Sequence, residues 1–148
     1  MKNKVFNTTF ENMLRVLLLM DIFPKPVNLD RLTALDFICI YGKKCKVMDK
    51  NLHGDNEFGF AEFANKREKI TEAIKLSVKN NYVTVGKSEE GLVYSLNDRG
   101  KEIVANIQSP YSRAYTIGAR LVCRKFANYT DEAVLKYISK LAIESKEV

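Results

Sequence analysis

Apolar positions along this chain recur at two different periods, and the switches between them mark out its elements. Phe10, Leu14, Leu17 and Leu18 follow one another at helical spacing, with Asn7 or Thr8 in front as a cap and Glu11 placed to complete a capping box. Phe23-Pro24-Lys25-Pro26 closes that helix, because two prolines cannot continue the hydrogen-bond ladder. A second helix starts at Asn28 or Asp30 and runs to about Tyr41. Leu32, Leu35, Phe37, Ile38 and Cys39 make it apolar over a wide arc, which predicts burial on more than one side, and Gly42 is its stop. Lys43 to Asn56 has no period and is rich in turn residues, so it reads as a loop with room for a short strand at Lys46-Val47-Met48.

The most organised stretch is Ala61 to Gly100. Phe58, Phe60 and Phe63 suggest a brief helical segment leading into a long amphipathic helix that ends at Asn80-Asn81. Phe63, Ile70, Ala73, Ile74, Leu76 and Val78 form its expected inward side, and Lys66, Arg67, Lys69, Lys75 and Lys79 its expected wet side. The period then changes to two: Tyr82-Val83-Thr84-Val85, a turn from Gly86 to Gly91, and Leu92, Tyr94 and Leu96 alternating likewise. Asn97 or Asp98 caps a helix to Gln108, Ser109-Pro110 opens another to about Asn128, and Thr130 with Asp131-Glu132 begins the last. A helix followed by a hairpin is the second half of a winged helix-turn-helix, a module that reads a duplex or docks on another protein. The expected fold class is therefore mainly α with a small β-hairpin. We expect a single domain over 1–148, with a winged-helix core at about 10–108 and a helical extension at 109–148.

Composition narrows the class. At 148 residues, 46% hydrophobic and 28% charged, the chain suits one globular domain. Its longest apolar run, Val16 to Met20, is far short of the roughly 20 residues that cross a membrane. Met1-Lys2-Asn3-Lys4 is followed by no apolar stretch with a cleavage site, so a cytoplasmic protein without a membrane anchor is expected. Cys39, Cys45 and Cys123 are odd in number and lack a C-x-x-C spacing, which predicts reduced thiols. The net charge of +6 is unevenly spread: Tyr111 to Lys125 holds four bases and no acid, whereas Tyr82 to Gly100 holds two bases and three acids. Basic character thus lies after the hairpin, not on it.

Candidate chemistry is sparse. Gly86-Lys87-Ser88 resembles the end of a phosphate loop, but Asn81 stands where the leading glycine is needed. His53, the single histidine, sits beside Asp55 and Glu57 with no second histidine or cysteine set and reads as a solvated loop residue. No nucleophile has a recognisable base, so no enzyme, cofactor or metal is expected. Two surfaces remain. Lys66 and Arg67 could reach DNA phosphates from the long helix, although its interspersed acids and Glu89-Glu90 oppose this. Arg113, Arg120, Arg124 and Lys125 form a basic face suited to sequence-independent phosphate contacts, to an acidic partner, or to water alone. The hairpin, without a basic tip, reads better as a docking edge carried by Tyr82, Val83, Leu92 and Tyr94.

Leu29-Asp30-Arg31-Leu32-Thr33-Ala34-Leu35-Asp36-Phe37 and Gln108-Ser109-Pro110-Tyr111-Ser112-Arg113-Ala114, in their order around the loop, long helix and hairpin, resemble the middle component of ABC-type three-component systems, the Lamassu-like anti-phage defence modules. The resemblance runs from about Phe10 to Phe126 and departs at Asn51-Leu52-His53-Gly54-Asp55, where a proline-bearing loop is expected; the helix from Thr130 lies outside it. It implies a non-enzymatic subunit that works with an SMC- or Rad50-type ATPase and an effector, often a nuclease, restrained until foreign DNA is sensed. Winged-helix subunits of such complexes generally dock proteins, which agrees with the acidic hairpin. A dimeric winged-helix transcription regulator is the alternative, with the long helix in the major groove and the C-terminal helices as its dimer arm.

Overall fold

In a computed structural model, which describes residues 8–145, Thr8 opens the first helix, α1 (Thr9–Ile22), by accepting the Glu11 amide at 3.1 Å. The alternative cap, Asn7, lies outside the described residues. After the proline segment comes a strand that the periodicity did not reveal, β1 (Val27–Asn28), too short to show an alternation. Asn28 also caps α2 (Leu29–Ile40), its side-chain oxygen accepting the Arg31 amide at 2.8 Å. Every residue from Leu32 to Ile40 is buried, as the wide apolar arc required.

The expected strand at Lys46-Val47-Met48 is not formed. Residues 41–50 are turns and bends, and Lys46 takes a φ of 61°, which breaks an extended run. This loop is strapped to the C-terminal helices instead: Cys45 carbonyl accepts the Tyr137 hydroxyl at 2.6 Å, and Met48 lies against Gly118, where a Cβ would meet its sulfur at 3.0 Å.

A 3-10 turn, Gly59–Glu62, replaces the brief helical segment and leads into α3 (Phe63–Lys79). Asn81, at φ 60°, supplies the left-handed residue that ends α3. The hairpin is longer than the alternation suggested. β2 (Val83–Ser88) and β3 (Gly91–Leu96) pair in register from Val83↔Leu96 to Ser88↔Gly91, so Gly86-Lys87-Ser88 belongs to a strand and only Glu89-Glu90 turn the chain. Beyond Val85 both faces of β2 are exposed, so side-chain polarity no longer marks the ladder. β1 adds to the other edge of β3, with Val27 opposite Tyr94, giving an antiparallel sheet ordered β1-β3-β2.

Asn97 caps α4 (Asp98–Ala105), and Ser109 caps α5 (Pro110–Lys125) in a reciprocal box with Ser112. The last helix is α6 (Asp131–Ser145), where Thr130 accepts the Ala133 amide at 3.0 Å. The fold is thus mainly α with a small antiparallel sheet, as expected. α1 packs chiefly on α3, and α5 lies across α1 and α2. The residues expected as a C-terminal extension supply Tyr115, Val122, Phe126, Val134 and Ile138 to the same core as Leu17, Phe37 and Ile70. No helix among the described residues is long and apolar enough to cross a membrane.

Candidate functional site

Two charged residues sit inside otherwise apolar helices, and they meet. Arg15 of α1 and Asp36 of α2 are 1% and 0% exposed, and the guanidinium reaches the carboxylate through Nε to Oδ1 at 3.0 Å and Nη2 to Oδ2 at 3.3 Å. Nη2 also donates to Asn12 Oδ1 at 2.6 Å. Lys66 Nζ of α3 stands 2.8 Å from Asp36 Oδ2, and Tyr115 of α5 donates its hydroxyl to Asp36 Oδ1 at 2.6 Å. One carboxylate therefore ties four helices together. Burial alone would raise the Asp36 carboxyl, but Arg15 and Lys66 outweigh it and hold the group well below the usual carboxylate range. Burial lowers Lys66, against the attraction of Asp36.

His53 extends this cluster toward the surface. Its Nε2 lies 2.6 Å from the Tyr111 hydroxyl, and burial, with Arg15 and Lys66 adding, pushes its pKa down to about 4. The expectation of a solvated histidine is thereby corrected. The cysteines are free thiols, and burial raises Cys45 to about 12 and Cys123 to about 11. That direction removes thiolate rather than creating a nucleophile.

Two further expectations are overturned. Lys66 is not a wet phosphate contact: it falls on the inward stripe Lys66, Ile70, Ala73 and Ser77, spaced by four, three and four, and is ion-paired inside. Val83, expected on the docking edge, is 5% exposed and packs in the core. Arg67 does lie at the surface, where its Nε meets Asp30 Oδ1 at 2.9 Å. Tyr82 is half-buried beneath Arg99, with the guanidinium 5.4 Å from the ring centre.

Leu92 and Tyr94 belong to a groove that the sequence did not outline. Val78, assigned to the inward side of α3, is 42% exposed there, beside Val85 at 43% and Leu92 at 50%. With Leu29, Ile74 and Tyr94 they floor a cavity of about 450 Å³ between α3 and the hairpin. Its polar lining is Thr71, whose hydroxyl already donates to the Arg67 carbonyl at 2.7 Å, with Lys75 and Lys79.

The arginines of α5 divide. Arg120 and Arg124 line a cleft of about 760 Å³ with Lys25 and Arg31, whereas Arg113 stands exposed further along the helix, outside it. Asp21, Glu90 and Asp131 share that cleft, so it is mixed in charge. Arg31 is already engaged, with Nε 2.9 Å from Asp131 Oδ1 and Nη2 donating to the Tyr129 carbonyl. Lys125 turns over the Phe126 and Tyr137 rings at 5.7 and 5.8 Å.

Arg15 and Asp36 were legible in retrospect: one charge of each sign inside an apolar helix requires a buried partner. Among curated proteins and among solved structures, none matches this chain. A family does, over residues 5–147, and the match takes in the last helix, which the shorter resemblance left out. With an all-helical frame around a small sheet and two unlike surfaces on it, the chain belongs to the family of the ABC-three component (ABC-3C) system Middle Component 2, and is a component of such a three-component system.

Proposed function

We propose that this protein is a non-enzymatic, cytoplasmic accessory subunit of winged-helix architecture that bridges an SMC- or Rad50-type ATPase and an effector such as a nuclease in a bacterial anti-phage defence complex. Family membership supports its place in a three-component system. The order α1-β1-α2-α3-β2-β3, with β1 added to β3, supports the winged-helix reading. Thiols raised by burial and a histidine locked on Tyr111 support a non-catalytic role.

The observation that carries the proposal is the groove. A helix that reads DNA presents polar and basic side chains to the bases, whereas the surface between α3 and the hairpin is floored by Val78, Val85 and Leu92, with Lys75 and Lys79 at its rim. Lys66, which the regulator reading sends to a phosphate, is paired in the core. Co-expression with the other two components of the system tests the proposal. Tagged protein is expected to retain both partners, and Val78→Asp with Leu92→Asp to release at least one while circular dichroism stays unchanged. A wild-type chain that retains neither would overturn it. Non-specific duplex contact through Arg113, Arg120 and Arg124 is a further part of the proposal. It predicts a salt-dependent loss of duplex binding on replacing all three with glutamate, and unchanged binding would remove it.

A further inference from the structure

We infer that the groove between α3 and the hairpin receives an amphipathic helix from a partner protein, apolar along its buried face and acidic along its flanks; this rests on the docking role proposed above. The floor, made by Leu29, Ile74, Val78, Val85, Leu92 and Tyr94, offers mainly side-chain carbon, and the Thr71 hydroxyl beside it is already used within α3. An occupant therefore has to present an unbroken apolar stripe there. Val85, Leu92 and Tyr94 share one face of the sheet, with Val85 opposite Tyr94, and the open outer edge of β2 lies to the side of that face, so a segment lying in the groove meets side chains rather than main-chain groups. A segment whose backbone is satisfied internally fits such a site, which is the helix-in-groove mode read through anchors at i, i+3, i+4 and i+7.

Charge at the rim selects the occupant. Lys75 and Lys79, one turn apart on α3, line one wall; on the hairpin side Lys87 is the cross-strand partner of Leu92, and Glu89 and Glu90 turn the chain beyond it. Glu72 meets Lys75 at 3.4 Å, but both side chains are more than half exposed, 55% and 70%, and so weak a pair leaves Lys75 able to turn to an occupant's carboxylate. Two lysines on the α3 wall of an apolar floor favour glutamate and aspartate on the flank of the helix that faces them. A second copy of this chain is a poor match, since it carries a net charge of +6.

Two measurements test this. In the first, a fluorescein-labelled synthetic helix with leucines at i, i+3, i+4 and i+7 and glutamates at its flanks is titrated onto the isolated full chain, beside an isomer with lysines in place of the glutamates. The acidic peptide is expected to bind at least tenfold more tightly than its lysine isomer. Val78→Asp with Leu92→Asp, or Lys75→Glu with Lys79→Glu and Lys87→Glu, should each erase that preference. Equal binding of the two peptides, or no binding of either, would overturn the inference whether or not the larger complex forms. In the second, a photo-crosslinking benzoylphenylalanine at position 92 is irradiated in the co-purified three-component complex. An adduct within an acid-flanked helix of another component supports the inference. An adduct in a second copy of this chain, in an extended segment or in DNA, or none in a complex that holds together, overturns it while leaving the docking role intact.

Discussion

Replacing Asp36 with asparagine keeps the side chain's shape and removes the one charge that two buried cations share. Arg15 and Lys66 would remain inside, 1% and 9% exposed, without the carboxylate they share. Deleting one partner of a buried ion pair costs about 3–5 kcal/mol. Against a total of roughly 5–15 kcal/mol for a domain, that is a large fraction of the stability. At about 2–4 °C per kcal/mol it lowers the melting temperature by roughly 6–20 °C. Lys66→Met is the informative contrast. It leaves Arg15 on Asp36 at 3.0 and 3.3 Å and Tyr115 on Asp36 at 2.6 Å, and it removes an ammonium whose burial already works against it. A volume-conserving change of this kind should cost less than about 1.5 kcal/mol. The chain has no tryptophan, so urea unfolding at pH 7 followed by far-ultraviolet circular dichroism is the suitable assay, with unchanged m-values as the control. If Asp36→Asn costs under about 1 kcal/mol, or Lys66→Met costs as much as Asp36→Asn, the reasoning that one carboxylate holds the cluster together fails.

Tyr115→Phe removes the hydroxyl that donates to Asp36 and should cost about 1.5–3 kcal/mol by the same urea assay, the range for a hydrogen bond to a charged group; a change within error would contradict it. Gly100→Ala would ordinarily favour a helix by about 1 kcal/mol, yet here a Cβ falls inside contact distance of the Tyr82 carbonyl oxygen. A net loss of about 1–3 kcal/mol is expected, and an equal or higher melting temperature would rule the clash out. His53 is held at about 4 in the folded chain against about 6.5 when unfolded, so the unfolded chain takes up its proton first as pH falls. Stability is therefore unaffected by this group above about pH 6.5 and declines between there and pH 4, and His53→Asn should flatten that part of a plot of urea midpoint against pH. An unchanged slope would show that another group causes the decline.

Much of the fold was written locally. Thr8, Asn28, Asn97 and Ser109 cap their helices because a short polar side chain needs only the amides of its own first turn, and Asn81 ends α3 because asparagine tolerates a left-handed backbone. Tyr115, Gly118 and Val122, spaced by three and four, share the buried face of α5 through helical geometry. Burial of charge was not, since it depends on what packs against an element from far along the chain. Lys66 and Val78 lie on one helix, and the lysine went inside while the valine stayed out. Asp36 draws the first inward across the core, and the hairpin stops short of covering the second. Local pattern determined where the helices are capped. Tertiary packing decided which of their charges became the core and which of their apolar residues became a surface, because a counter-charge or a covering wall is supplied only by residues distant in sequence.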